Sequence, residues 1–237
     1  MAEKTDAQNR EELSLDLTLN ERIGELIQKN RTRLLAGLVS IVVIIAGIII
    51  ISIARENIQS NAISKVDALN RRYKEIKANS SGGETSDGSK QVELGVLLVE
   101  ITEFEKKNSG FAAARAYTIH ANINMDQKNW ETAEEKWLKA AEAAPKSYLA
   151  PIAVYNAAVA AEEQNKIESA IEYYSRAAGY ADSFPSAARA QFSVGRLEES
   201  RSNKDSAIEA YRNLVAKWPN EPIWQNLAQS RLLVLSD

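Results

Sequence analysis

The chain has 237 residues, of which 45% are hydrophobic and 26% are charged, and it contains no cysteine and a single histidine. The absence of cysteine excludes disulfides, zinc–thiolate sites, iron–sulfur clusters and cysteine nucleophiles, and one histidine excludes any site that needs two imidazoles. The net charge is −3, without a strongly basic half, which argues against a nucleic-acid surface. We therefore expect no enzymatic activity, cofactor, metal or small-molecule substrate.

The first 33 residues are too few to form a domain. Residues 1–18 are polar and acidic, which predicts a disordered tail. In residues 19–33, Asn20 can cap a helix with Leu19, Ile23 and Ile27 on one face, which predicts an amphipathic juxtamembrane helix. That helix lies on lipid headgroups or extends the next segment. The alternative is a docking face for a cytoplasmic or membrane partner.

A transmembrane helix is predicted at residues 34–54, a run of 21 residues without a charge. As a helix it is about 31 Å long, enough to cross the hydrocarbon core of a bilayer. Its length and the 33 residues before it argue against a cleaved signal peptide. Within about 15 residues of the run, four cations precede it and two follow it: Arg22, Lys29, Arg31 and Arg33, then Arg55 and Lys65. This bias predicts a cytoplasmic N-terminus, with the rest of the chain outside the cytoplasm.

The remainder of the chain is rich in alanine, at 23 of the 80 positions in 111–190, and its apolar residues recur at spacings of three and four. Both features predict helices. Three segments, 129–145, 166–185 and 204–219, share one pattern: a small residue, an aromatic residue four positions later, and a small or apolar residue three positions after the aromatic. Another small residue lies twelve positions before the first residue of this pattern. These repeat-packing residues are Ala121, Ala133, Trp137 and Ala140; Ala158, Ala170, Tyr174 and Ala177; and Gly195, Ala207, Tyr211 and Leu214.

This pattern resembles the tetratricopeptide repeat, in which a small residue on each helix permits close antiparallel contact and an aromatic fills the gap to the next pair. The fold class expected is all-α: a single N-terminal transmembrane helix followed by an α-solenoid of degenerate tetratricopeptide-like helix pairs. Residues 91–237 form the repeats, and 55–90 form a membrane-proximal helix and a flexible loop at 79–90. Residues 92–110 form a second helix whose partner is 57–76. A capping helix is predicted at 221–235, with Trp224, Leu227 and Leu232 facing inward.

In tetratricopeptide arrays the concave face, lined by first helices, binds proteins. Mapped onto this chain, that groove contains Arg115, Thr118, Asn122, Met125, Tyr155, Asn156, Val159, Arg189, Phe192 and Arg196. The five-residue carboxylate clamp of some such domains matches only Asn122, Asn156 and Arg189, because Thr118 and Ser193 replace two cations. A less specific groove for helices or extended segments is favoured.

The remaining candidates for chemistry have structural interpretations. His120 occupies a helix-packing position and has no second metal ligand nearby in sequence. The glutamates Glu131, Glu134 and Glu135, and the pair Glu162 and Glu163, lie at helix ends and are interpreted as solvated faces or as partners of the helix dipoles.

The layout as a whole also resembles the YfgM-type ancillary subunits of the SecYEG translocon, most closely in residues 103–140 (EFEKKNSGFAAARAYTIHANINMDQKNWETAEEKWLKA). The resemblance implies a bacterial inner-membrane protein with periplasmic repeats that contacts the translocon and its chaperones. The function expected is a membrane-anchored, non-enzymatic scaffold that binds proteins and contacts the bilayer through 34–54. The alternatives are a cell-envelope assembly or division coordinator, a cytoplasm-facing adaptor of reversed topology, and an enzyme.

Overall fold

The computed structural model describes residues 24, 27–81, 87–181 and 183–236. The tail predicted at 1–18 and most of the helix predicted at 19–33 lie outside the described residues. Within them the protein is all-α, without strands. The helices are α1 (Arg31–Ser81), α2 (Asp87–Lys107), α3 (Gly110–Asp126), α4 (Trp130–Ala143), α5 (Leu149–Glu163), α6 (Ile167–Ala178), α7 (Ala187–Ser200), α8 (Lys204–Lys217) and α9 (Pro222–Ser236).

The chain divides into two units, Met1–Ile58 and Gln59–Asp237, and the boundary falls within α1. In the described part of the first unit, Arg31–Ile49 is long and apolar enough to cross a membrane, with a mean hydropathy of 2.4 and none of its residues buried. This stretch overlaps the transmembrane helix predicted at 34–54. Its length and composition permit a membrane span, and insertion itself stays a prediction.

In the second unit, consecutive helices pack as pairs: α3 with α4, α5 with α6 and α7 with α8. An earlier pair is formed by the part of α1 from Gln59 onward and α2, which share a core containing Val66, Leu97 and Ile101. At the other end, α9 packs on α8, where Ala228 is fully buried against Leu214 and Tyr211. The repeat segments identified in the sequence therefore correspond to α4, α6 and α8.

The turn inside each of the three repeat pairs has the same geometry, every 37 residues. One residue adopts the left-handed conformation: Lys128 (φ 59°), Asn165 (φ 59°) and Ser202 (φ 62°). The following backbone N–H then donates to a carbonyl five residues back, as from Lys166 to Ala161 at 2.9 Å. A single left-handed residue is a common way to end a helix, and here it directs the chain into the antiparallel second helix.

In each pair a small residue of the first helix precedes a buried aromatic residue of the second helix by sixteen positions. A Cβ added to Gly195 comes within 2.5 Å of the Tyr211 ring, so no side chain fits there. Ala158 and Ala121 stand at the equivalent positions, buried in the same core cluster as Tyr174 and Trp137. All twelve repeat-packing residues are buried, and the three aromatic residues are at most 3% exposed.

Two details differ from the sequence analysis. Both ends of the segment 79–90 are helical, because α1 extends to Ser81 and α2 begins at Asp87; residues 82–86 lie outside the described part. Packing of Tyr73 and Ile76 against Leu94 outweighs the weak helix propensity of these Gly- and Ser-rich ends. In α9, Leu227 does not face inward: it is 44% exposed, and Ala228 is the buried residue.

The contact at Gly195 gives a stability prediction. We expect Gly195→Ala to lower the free energy of unfolding by about 1–3 kcal/mol, because the new methyl group forces the buried Tyr211 ring to move. The measurement is urea unfolding of the full-length chain in mild detergent, followed by circular dichroism.

Gly95→Ala is the matched control, because a Cβ at Gly95 in α2 meets nothing within 4 Å. It should stabilise the chain by about 0.5–1 kcal/mol through helix propensity alone. Equal changes in the two variants contradict the close contact at Gly195.

Candidate protein-binding site

A cleft of about 320 Å³ opens between α5, α7 and the start of α9. Its lining residues are Tyr155, Val159, Glu162, Glu163, Tyr174, Arg189, Phe192, Ser193, Arg196 and Trp224. A second depression of about 410 Å³, lined by Glu199, Tyr211 and Arg231 among others, shares Phe192 and Arg196 with it. Five of the ten predicted groove residues (Tyr155, Val159, Arg189, Phe192 and Arg196) are therefore in one cleft.

Aromatic rings form the apolar wall of this cleft. Phe192 lies 5.6 Å from Trp224 and 5.4 Å from Tyr211 between ring centroids, and Tyr155 contacts Tyr174 edge-on at 5.2 Å. Burial raises the pKa of Tyr155, so its phenol stays a neutral donor at physiological pH. A row of rings with polar edges suits an apolar or aromatic side chain from another protein.

Arg189 is the cation at the edge of the cleft. Its guanidinium lies 5.6 Å from the centre of the Tyr155 ring, and its side chain is exposed. Within the described part of the chain no carboxylate forms an ion pair with it, whereas Arg196 is held by Glu162 at 2.8 Å. Arg189 is therefore positioned to receive a carboxylate from a bound partner.

A glutamate–tyrosine–arginine cluster connects each of the last two repeats to the helix that follows. Glu162 of α5 accepts hydrogen bonds from the Tyr174 hydroxyl of α6 at 3.1 Å and from Arg196 of α7 at 2.8 Å. The second cluster has the same form in α7, α8 and α9: Glu199, Tyr211 and Arg231. The glutamates and the tyrosines are each 37 residues apart, a signal that the sequence analysis did not use.

The first repeat lacks this cluster. Counting back 37 residues, Met125 stands at the glutamate position, Trp137 at the tyrosine position and Val159 at the arginine position. Accordingly the buried Nε1 of Trp137 has no hydrogen-bond partner in the described structure. The polar cluster belongs to the half of the array that lines the cleft.

The other predicted groove residues have local contacts. Arg115 forms an ion pair with Asp67 of α1. Thr118 and Asn156 donate to the carbonyls of Ala114 and Ile152, each four residues back. Met125 packs against the core cluster that contains Trp137 and Tyr174, and Asn122 is half-buried. Of the three residues that match a carboxylate clamp, Arg189 alone is in the cleft, so the clamp stays a prediction without further support.

His120 belongs to a buried polar cluster between α2, α3 and α4. Its Nδ1 lies 2.8 Å from a carboxylate oxygen of Glu105, and Lys136 donates to the other oxygen at 2.7 Å. Burial raises the pKa of Glu105, but the hydrogen bonds and charges of His120 and Lys136 outweigh it and lower the pKa overall. The arrangement is a structural ion cluster, with both carboxylate oxygens occupied.

The interpretation of the glutamates as solvated faces is wrong for Glu134. That side chain is only 8% exposed and accepts hydrogen bonds from Gln164, Lys166 and Tyr173. Those donors lie 30 to 39 residues away, so the α4 sequence gives no signal of them. Glu131, Glu135 and Glu163 are exposed, and Glu162 belongs to the cluster above.

Comparison with known proteins supports the repeat architecture. The tetratricopeptide repeat family model matches residues 120–184 and 155–222. A TPR repeat-containing protein of Treponema pallidum (strain Nichols) is 39% identical over 127 residues, which are 54% of this chain and 52% of the relative. The chain thus spans about half the length of that relative.

The chain is similar to the crystal structure of the apo form of RapI, with a TM-score of 0.50 and 14% sequence identity. The match covers 68% of this chain and 58% of the RapI chain. At that identity the likeness concerns the fold alone. The chain contains tetratricopeptide repeats, and such repeats are typically non-enzymatic scaffolds for protein–protein interaction.

The buried cluster predicts a pH-dependent stability. Because the folded pKa of Glu105 is depressed, its stabilisation is present above the unfolded pKa of about 4.3 and is lost as the pH falls through the folded pKa. We expect Glu105→Gln to lower the free energy of unfolding by about 2 kcal/mol at pH 7. In urea titrations the deficit should shrink below about pH 4.

Glu135→Gln is the control, because Glu135 is exposed and pairs only along its own helix with Lys139. Its effect should stay within about 0.5 kcal/mol. A deficit in Glu105→Gln that is the same at pH 7 and pH 3 contradicts the prediction.

Proposed function

We propose that this chain is a membrane-anchored scaffold whose repeats bind proteins outside the cytoplasm, at the inner membrane and beside the secretion translocon and its chaperones. The observation that carries the binding function is the aromatic cleft with Arg189 at its edge, where no carboxylate of the described residues pairs with it. The apolar stretch Arg31–Ile49 supports anchoring, and the flanking cations support the orientation. The likeness to the YfgM-type subunits supports the site of action.

The mechanism proposed is recruitment. The anchor fixes the array beside a membrane complex, which raises the local concentration of any protein held in the cleft. The occupant is a helical or extended segment that places an apolar side chain between Tyr155, Phe192 and Trp224 and a carboxylate on Arg189. No chemistry is required of the array.

Membrane topology is the first test of this proposal. The chain has no cysteine, so single replacements are clean probes. Gly88→Cys lies in α2, where an added Cβ meets nothing within 4 Å, and Lys29→Cys lies on the other side of the apolar stretch. With only the outer barrier permeabilised, an impermeant maleimide should label position 88 at once and position 29 only after lysis.

The two cysteines control for each other, because both positions are exposed. Position 29 precedes the apolar stretch Arg31–Ile49, and position 88 follows it. Labelling of position 29 alone before lysis overturns the proposed orientation and makes the protein a cytoplasm-facing adaptor. Labelling of both before lysis, in cells that exclude the reagent from the cytoplasm, overturns the span itself.

Partner binding through the cleft is the second test. We expect Arg189→Glu, combined with Phe192→Ala, to lower co-purification of translocon subunits with the full-length chain at least tenfold, since a repelled carboxylate and a lost ring act together. Co-purification is quantified by mass spectrometry against the wild-type chain.

The matched control is Arg176→Glu in α6. Arg176 stacks on Tyr173 at 5.8 Å much as Arg189 stacks on Tyr155, but it is not among the residues lining the cleft. Equal losses in the control and the cleft variant contradict cleft binding. Recovery of envelope-assembly or division proteins in place of translocon subunits keeps the scaffold and replaces its proposed partner.

A further inference from the structure

The outer face of α9 exposes four large apolar residues, beside the polar Asn226, Gln229 and Ser230, and none of the four has a partner in the described chain. Ile223 is 69% exposed, Leu233 73% and Val234 58%, and Leu227 lies beside them at 44%. The inner face of the helix is formed by other residues, with Ala228 buried and Trp224, Leu232 and Leu235 packed against α8 and α7. These leucines and valines are therefore additional to the packing that attaches α9 to the array.

This face also has no charge. Arg231 is the one charged side chain of α9, and it hydrogen-bonds to Glu199 of α7. An exposed helix face of four large apolar residues without a charge is typical of an interface.

The spacing of the outer residues is that of a short coiled-coil seam. Ile223, Leu227, Ser230 and Val234 follow one another at intervals of four, three and four, the alternation of d and a positions. If a second α9 lies antiparallel with its centre between positions 227 and 230, Ile223 faces Val234 of the other copy. Leu227 then faces the small Ser230 of the other copy, so large and small side chains alternate along the seam.

A parallel arrangement lacks this fit. It places Leu227 against Leu227 and Ser230 against Ser230, so the serine layer sets two polar side chains against each other and leaves that layer underfilled. A partner with charged side chains would have no opposite charge to meet on this face. In the antiparallel arrangement each residue of the seam meets a residue of the same seam in the other copy. Such self-complementarity is the requirement for a two-fold symmetric interface.

We propose that the outer face of α9 pairs antiparallel with the same face of a second copy, so that two arrays associate through their C-terminal helices. This inference concerns a surface separate from the cleft, and it stands or falls independently of the proposed function.

A second apolar row, on α2, shows why α9 is preferred. Val92, Val96 and Val99 are 50–68% exposed at the same alternation of four and three, but the next position in the row is Glu103. Antiparallel self-pairing of α2 sets the Glu103 carboxylate against Val92, which buries a charge on an apolar group. The α2 row therefore supplies matched control positions.

Cysteine pairing in the full-length chain tests the geometry. Two differently tagged chains, one with Leu227→Cys and the other with Ser230→Cys, are mixed in mild detergent and oxidised. The antiparallel register places these two positions face to face, so the mixed 227–230 disulfide should form at least fivefold faster than either 227–227 or 230–230. A chain with Val96→Cys, mixed with Ser230→Cys, should give only the background rate.

A predominant 227–227 disulfide overturns the antiparallel register, and a mixed rate equal to the Val96 background overturns the interface. Crosslinking of both α9 positions to a different protein, without any homodimer, assigns the face to that partner and also overturns the proposal.

A charge exchange tests the layer at the ends of the seam. In the cysteine background, Ile223→Lys or Val234→Glu alone should reduce the mixed disulfide about tenfold, because each places a charge against an apolar side chain. The double variant should recover to within about twofold of the parent, since Lys at 223 then faces Glu at 234 of the other copy.

Val96→Glu in α2 is the control for added charge and should leave the yield unchanged. Circular dichroism verifies that each variant keeps the helicity of the parent; both altered side chains are already more than half exposed, so the fold does not depend on them. Unchanged yield in the single variants, or no recovery in a folded double variant, overturns the proposal.

Discussion

The contact on which the repeats depend is the one between a small residue of each first helix and an aromatic ring of its second helix. At Gly195 the Tyr211 ring occupies the space that a side chain would need, so the two helix backbones approach closely at that point. Alanine stands at the equivalent positions 37 and 74 residues earlier, and each alanine is buried in the same core cluster as its aromatic ring. Because these rings are at most 3% exposed, a larger residue at the small position forces the ring or the helices to move. The opposite face of each first helix remains available to line a cleft.

The buried aromatic also connects one pair to the next when it is a tyrosine. Its hydroxyl reaches a glutamate at the end of the preceding helix, and that glutamate binds an arginine from the following helix. The glutamate thereby joins the two helices of one pair to the helix that follows. The tyrosine and arginine hydrogen bonds share this one carboxylate, so each depends on the other partners being in place. In the described structure Trp137 has no such acceptor, and the first repeat is joined to the second by Glu134 instead, which accepts hydrogen bonds from Gln164, Lys166 and Tyr173. Its neighbouring polar link is the Glu105 cluster, which lies between α2, α3 and α4.

The parts of this structure that the sequence could predict are those with a period. Small and aromatic residues recur every 37 positions, and the helix pairs and their packing residues follow from that recurrence. Which face of α9 packs against the array could not be predicted, because a helix with apolar residues on two faces has no unique inner side. The prediction that Leu227 faces inward is wrong for this reason. Glu134 looked solvated because its three donors come from another pair. Trp224 was missed as a cleft residue because it lies after the last repeat, where the period no longer applies.

Arg189 and Arg196 line the cleft and Arg231 lines the neighbouring depression, and the three arginines differ in the groups that they already bind. Arg196 and Arg231 are engaged by Glu162 and Glu199, so a ligand carboxylate that took either of them would leave a half-buried glutamate without its cation. Among the described residues, Arg189 contacts the face of the Tyr155 ring and forms no ion pair with a carboxylate, so a ligand carboxylate can approach it without displacing one of them. Substitutions at Arg189 can therefore change which partner binds while the contacts between repeats persist. The cation proposed to recognise a partner therefore lies beside the cations that join the repeats but is separate from them.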